Sequence, residues 1–158
     1  MKIMELCRGI TGFRHLNDPP LPICDLKAFH THCHDAARLI GGRVLRNGPR
    51  LDNVVTNFVM AVIELADGPI AVLLNCHFPV VGFAIPARDG DTRSLQFVDC
   101  EGLANLLNKI GEYEVLSRDE LEKAVSPDDL QRLLPAEIDQ AHYWKPRRVG
   151  DVVFNFWD

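Results

Sequence analysis

The sequence contains no Cys-x-x-Cys pair, and its five cysteines are an odd number without paired spacing. A disulfide framework of the secreted kind is therefore not expected, and reduced thiols in a cytoplasm are. No apolar run approaches the roughly 20 residues needed to cross a bilayer, so no membrane partner is expected either. The opening MKIMELCRGITG is interrupted by Glu5 and Arg8 before a signal-peptide core can build up, and Cys7 follows Met-Glu-Leu rather than the small residues of a lipid anchor. A phosphate-cradling loop and a dinucleotide fingerprint are both missing, since GGR and DGD are isolated turns. No cofactor is expected. The basic residues Arg43, Arg46, Arg50, Lys145, Arg147 and Arg148 are scattered without interleaved aromatics, which disfavours nucleic acid as a partner.

What the chain does have is length for one domain over 1–158, with a real core, and an uneven distribution of charge. Residues 1–50 carry eight Lys/Arg against four Asp/Glu, whereas residues 112–140 carry three against nine. The net −6 of that second segment exceeds the −5 of the whole chain. Acidic density of this kind repels polyanions and attracts basic partners, although helices commonly wear charge on their solvated side.

Residues 1–24 read as irregular, with a polyproline-type connector in NDPPLP (17–22). A first helix is expected over 26–40, capped by Asp25 and stopped by Gly41-Gly42, with Leu26, Phe29, Cys33, Ala36, Ala37 and Ile40 forming one apolar stripe. The runs NFVMAVIEL (57–65) and PIAVLLNCHF (69–78) flank an Asp-Gly turn and are apolar on both faces, so they predict a hairpin in the middle of a covered sheet. Further strands are expected in VVGFAIPA (80–87), SLQFVD (94–99), YEVLS (113–117) and DVVFNFW (151–157). Between them lie a helix carrying Leu103, Leu106, Leu107 and Ile110, and two capping boxes, Ser117–Glu120 and Ser126–Asp129. The second box leads a stripe through Leu130, Leu133, Leu134, Ile138 and Ala141 that bends at Pro135. The fold class is α+β: a central antiparallel sheet built on the 57–78 hairpin, flanked by helices.

Two constellations could carry chemistry. In AFHTHCHDA (28–36), His30, His32 and His34 alternate around Cys33. On a strand the three rings would share one face and could grip zinc. On a helix, His30 and His34 stay near each other while His32 points about 160–200° away. A third ligand would then have to come from His77, His15 or a carboxylate, and the glutamate of an HExxH site is missing. Alternatively, Cys33 is a thiol nucleophile with His77 as base and Asn75 or an aspartate as orienter. On the helix, however, Cys33 sits two turns in, on the apolar side, away from the dipole that would lower its pKa. These readings make up the alternative function, a small metal- or thiol-dependent hydrolase using His30, Cys33, His34 and His77. Asn53, Thr56 and Asn57 in RLDNVVTNF either pin a strand end or line a pocket.

The closing stretch YWKPRRVGDVVFNFWD (143–158) resembles the tail of small bacterial proteins of toxin–immunity gene pairs, in which a proline turn and VGD lead to FNxWD. The hairpin region 57–84 is similar in style to the same group. The resemblance implies a cytoplasmic protein that neutralises a cognate toxin, such as a nuclease effector, by direct contact and without a catalytic site. The acidic residues Asp119, Glu120, Glu122, Asp128, Asp129, Glu137 and Asp139 are the candidates for the contact face, since a nuclease groove is basic and opposite charge speeds association.

Overall fold

The computed structural model describes residues 6–48, 56–86 and 95–157. Asn53, Arg50 and the charged loop 87–93 lie outside the described residues. The elements run α1 (Leu26–Ile40), β1 (Arg43–Gly48), β2 (Phe58–Leu65), β3 (Gly68–Asn75), β4 (Val80–Ala84), β5 (Phe97–Val98), α2 (Glu101–Gly111), β6 (Glu114–Val115), α3 (Arg118–Glu122), α4 (Pro127–Gln131), α5 (Pro135–Trp144) and α6 (Val149–Val153). The strands form one six-stranded sheet in the order β1-β2-β3-β4-β5, antiparallel throughout except that β6 adds to β4 in parallel. The chain is an α+β fold centred on the β2–β3 hairpin, whose register closes with Leu65 opposite Gly68 across a two-residue connection.

Alternation along the central strands explains why they are apolar on both faces. Val59, Ala61 and Ile63 of β2, Ile70, Val72 and Leu74 of β3, and Val81 and Phe83 of β4 point to one side, where Phe29, Cys33, Ala36 and Ala37 of α1 and Leu103 and Leu107 of α2 cover them. Phe58, Ala71, Leu73, Val80 and Ala84 point to the other side, beneath α3, α5, α6, the N-terminal segment and the C-terminal tail. With helices on both sides, the central strands β2, β3 and β4 are buried from above and below over most of their length.

Helix α1 has the expected bounds. The Asp25 carboxylate accepts from the Ala28 amide at 2.9 Å, and Gly41, at φ 80, takes the left-handed conformation that returns Gly42 N–H to the Ala37 carbonyl at 2.8 Å. Both capping boxes form, at Ser117/Glu120 and Ser126/Asp129. Pro135 does more than bend the stripe that follows: it opens a separate helix, α5, after a break at 132–134.

One strand was not anticipated and one expected strand is not formed. β1, the edge strand, pairs with β2 through a register shift between Val44 and Arg46. The final DVVFNFW is not a strand. Val149–Val153 form a helical turn, and Val152, Val153, Phe154 and Asn155 are buried in succession, which a two-sided strand at a sheet edge would not allow. Gly150 in that turn lies so close to the Phe97 ring that an added Cβ would come within 2.3 Å of it.

The N-terminal segment has no helix or strand among its described residues, yet it is part of the core. Ile10 is fully buried, and Leu6 nearly so.

Candidate functional site

The seven acidic candidates separate into three groups. Asp119, Asp128 and Asp139 are exposed and carry no hydrogen bond or ion pair among the described residues. Asp119 and Asp128 stand in the first turns of α3 and α4, where the N-terminal dipole favours negative charge. Glu120, Asp129 and Glu122 are committed elsewhere. Glu120 accepts from Ser117 N–H at 3.0 Å, Asp129 from Ser126 N–H at 3.0 Å, and Glu122 holds the Arg148 guanidinium at 3.1 Å.

Glu137 is a correction. It belongs to the acidic run in sequence but not to the surface, because its side chain is fully buried. Its carboxylate accepts from Gly9 N–H at 2.7 Å, Thr11 N–H at 2.9 Å, Leu134 N–H at 3.0 Å and the Thr11 hydroxyl. A buried carboxylate is tolerated only when its oxygens are met by donors, and here four donors converge on it. The residue therefore locks the N-terminal segment onto α5 and is removed from the contact face.

Helicity separates the histidines. His32 turns toward α2, with Nδ1 2.7 Å from the hydroxyl of buried Tyr113 and the rings edge to face. His30 packs beside Phe29 with Nδ1 buried and unpartnered among the described residues, and His34 is exposed. Among the described residues no three His, Cys, Asp or Glu side chains gather as a metal-holding group. Cys33 is fully buried, and burial pushes its thiol up to about 12, the reverse of what an attacking thiolate requires. His77 donates from Nδ1 to the Pro22 carbonyl at 2.8 Å, and no hydrogen bond joins its ring to Cys33 among the described residues. Cys24 and Cys76, joined by a backbone hydrogen bond of 2.8 Å, are both raised by burial, and Cys24 further by its neighbour Cys76. No disulfide links any two of the five cysteines among the described residues.

Of the polar strand-end residues, Thr56 and Asn57 are described: the Thr56 hydroxyl donates to the Phe58 carbonyl at 2.7 Å. The Asn57 amide group donates to Ile10 O at 2.7 Å and Val153 O at 2.9 Å. That of Asn75 donates to the same two carbonyls, at 2.9 and 2.8 Å. Four N–H bonds thus fill both lone pairs of two carbonyls. The ring is extended by Asn155, whose N–H donates to Asn57 Oδ1 at 2.7 Å and whose amide group reaches Thr11 O at 3.1 Å. Asn57 therefore pins a strand end, and it does so together with Asn75 and Asn155. Nothing local in the sequence signals the partnership, because its members stand up to 144 residues apart.

A second hub lies at Arg148. Its guanidinium bonds Asp151 at 2.6 Å and the Leu95 carbonyl at 2.9 Å, and sits 4.8 Å from the Phe97 ring centroid. The Asp151 hydrogen bond holds it charged against the desolvation that would lower its pKa. Among the described residues no helix is long and apolar enough to cross a membrane. No protein-family model, curated protein or solved structure matches the chain.

Proposed function

We propose that the protein is an immunity protein, which binds a cognate bacterial toxin in the cytoplasm and neutralises it by direct contact. The observation that supports the reading best is the set of exposed carboxylates of Asp119, Asp128 and Asp139, borne on short helices α3–α5. Charges held on elements that are capped and packed from below lose little entropy on binding, and they attract a basic surface such as a nuclease groove. The alternative hydrolase finds less support. Its thiol is buried and raised, His77 makes no hydrogen bond to that thiol among the described residues, and its histidines diverge around α1.

The test is co-expression with the product of the adjacent reading frame. The proposal expects that product alone to stop growth, growth to return when this protein is present, and the two to purify as a stoichiometric complex. A toxic neighbour that is not relieved, with no complex on mixing, refutes it.

A further inference from the structure

Between the end of α5, the 145–148 connector and the C-terminal tail lies a cleft of about 420 Å³. Its apolar walls include Trp144, Phe156 and Trp157, and Lys145, Arg147 and Arg148 are the basic residues lining it. Arg148 is already spent on Asp151, Glu122 and the Leu95 carbonyl, and Asp151, the acidic lining residue, is neutralised by it. Lys145 and Arg147 are different. Both are exposed, and neither has a side-chain partner among the described residues. Their backbones are nonetheless anchored: Lys145 N–H caps α5 on the Ala141 carbonyl at 2.8 Å, and the Arg147 carbonyl accepts from Val125 N–H at 3.0 Å. The concavity thus offers two unspent positive charges beside aromatic walls, in a chain whose net charge is −5.

We propose that this cleft is a docking site for an acidic segment of a partner polypeptide, one that inserts a single apolar side chain and sets its flanking carboxylates against Lys145 and Arg147. The size lies near the lower end of ligand pockets, about 300–1,000 Å³. The cleft is also open along one side, so it suits a side chain projecting from a larger body better than an enclosed free molecule. Apolar anchor and charged rim divide the work as in protein interfaces: the anchor supplies affinity, while the rim selects acidic over basic sequences. A nucleic acid strand, running on beyond the cleft, would meet the net −7 that the chain carries apart from these two cations. The inference does not rest on the toxin reading, because it concerns a different surface with the opposite sign of charge.

The chain's two tryptophans both line the cleft, so intrinsic fluorescence of the whole protein reports its occupancy. The probe is the blocked peptide acetyl-Asp-Glu-Leu-Asp-Glu-amide. It is expected to change the emission saturably, with half-saturation below about 1 mM, and to bind at least about tenfold more weakly when Leu is replaced by Ala or when the protein carries K145E and R147E. Added salt weakens it further. Equal or tighter binding of a Lys-for-acid peptide or of adenosine monophosphate overturns the assignment, as does unchanged binding in the double variant or no saturable response. A measurement on the unaltered protein stands beside these: iodide must quench the tryptophans more strongly than caesium, and the reverse order contradicts the proposed charge.

Discussion

On the side of the sheet covered by α1 and α2, the core is apolar throughout, built from Phe29, Val72, Leu74, Phe83, Leu103, Leu107 and their neighbours. On the other side, where the N-terminal segment, α3–α6 and the tail meet, the interior also encloses Thr11, Asn57, Asn75, Glu137 and Asn155. The first side is a helix pair laid on strands close to it in sequence. The second joins both ends of the chain, and its irregular segments bring backbone groups into the interior that no helix or ladder satisfies. Asparagine amides and one carboxylate take the place of those missing partners. Burial by itself sorts residues by polarity, whereas burial of irregular backbone demands polar side chains in the core.

The sharpest way to test this contrast is a volume-conserving swap on each side. Glu137→Gln keeps the shape but sets an NH2 group against N–H donors, and is expected to cost about 3 kcal/mol. That lowers Tm by roughly 6–12 °C for a chain of this length. Leu107→Met on the dry side is expected to cost less than about 1.5 kcal/mol. Thermal unfolding of the two variants checks the pair, and equal losses would erase the distinction. Next in size, Asn57→Ala orphans the Asn155 amide and is expected to cost about 2 kcal/mol. Asn75→Ala is expected to be non-additive with it by about 1 kcal/mol, because both donate to Ile10 O and Val153 O. A denaturant double-mutant cycle measures that coupling.

The dry side makes a prediction of its own in alkali. The Cys33 thiol ionises near 9.0 when free of the fold and is pushed up to about 12 within it. Between those values the folded state binds the extra proton, so stability is fully present below pH 9 and is lost as pH rises toward 12. Tyr113, raised from 10.0 to about 12 mainly by burial, adds to the loss over the upper part of that window. Cys33→Ala is expected to shrink the drop in urea midpoint between pH 8 and pH 11. An unchanged drop places the titration elsewhere.

The same contrast separates what was legible in the sequence from what was not. Helix α1, the β2–β3 hairpin and the capping boxes at Ser117 and Ser126 were readable because their signals act over four residues or a two-residue turn. The stripe of α1 also showed that its histidines diverge. Glu137 was not legible: within an acidic run it looks like its neighbours, and the groups that bury it are Gly9 and Thr11, over 120 residues away. The tail misled for a related reason. Val-Val-Phe-Asn-Phe-Trp has strand-forming residues, but tertiary burial of consecutive side chains overrides that preference and leaves one helical turn. Lys145, Arg147 and Arg148, three of the basic residues that looked scattered without aromatics, come together with Trp144, Phe156 and Trp157 once the tail folds back.

On the surface the smallest stability effects are expected. Asp119→Asn, Asp128→Asn and Asp139→Asn together should shift unfolding by no more than about 1 kcal/mol, since none of the three carboxylates has a partner among the described residues. Function should respond far more. The most direct measurement is therefore the association rate and affinity of this triple variant for the product of the adjacent reading frame, beside the unaltered protein, at low and high salt. The account predicts a loss of about tenfold or more in affinity at low salt, carried largely by slower association and narrowing as salt rises. Rates and affinities that match the unaltered protein at both salt concentrations would contradict it.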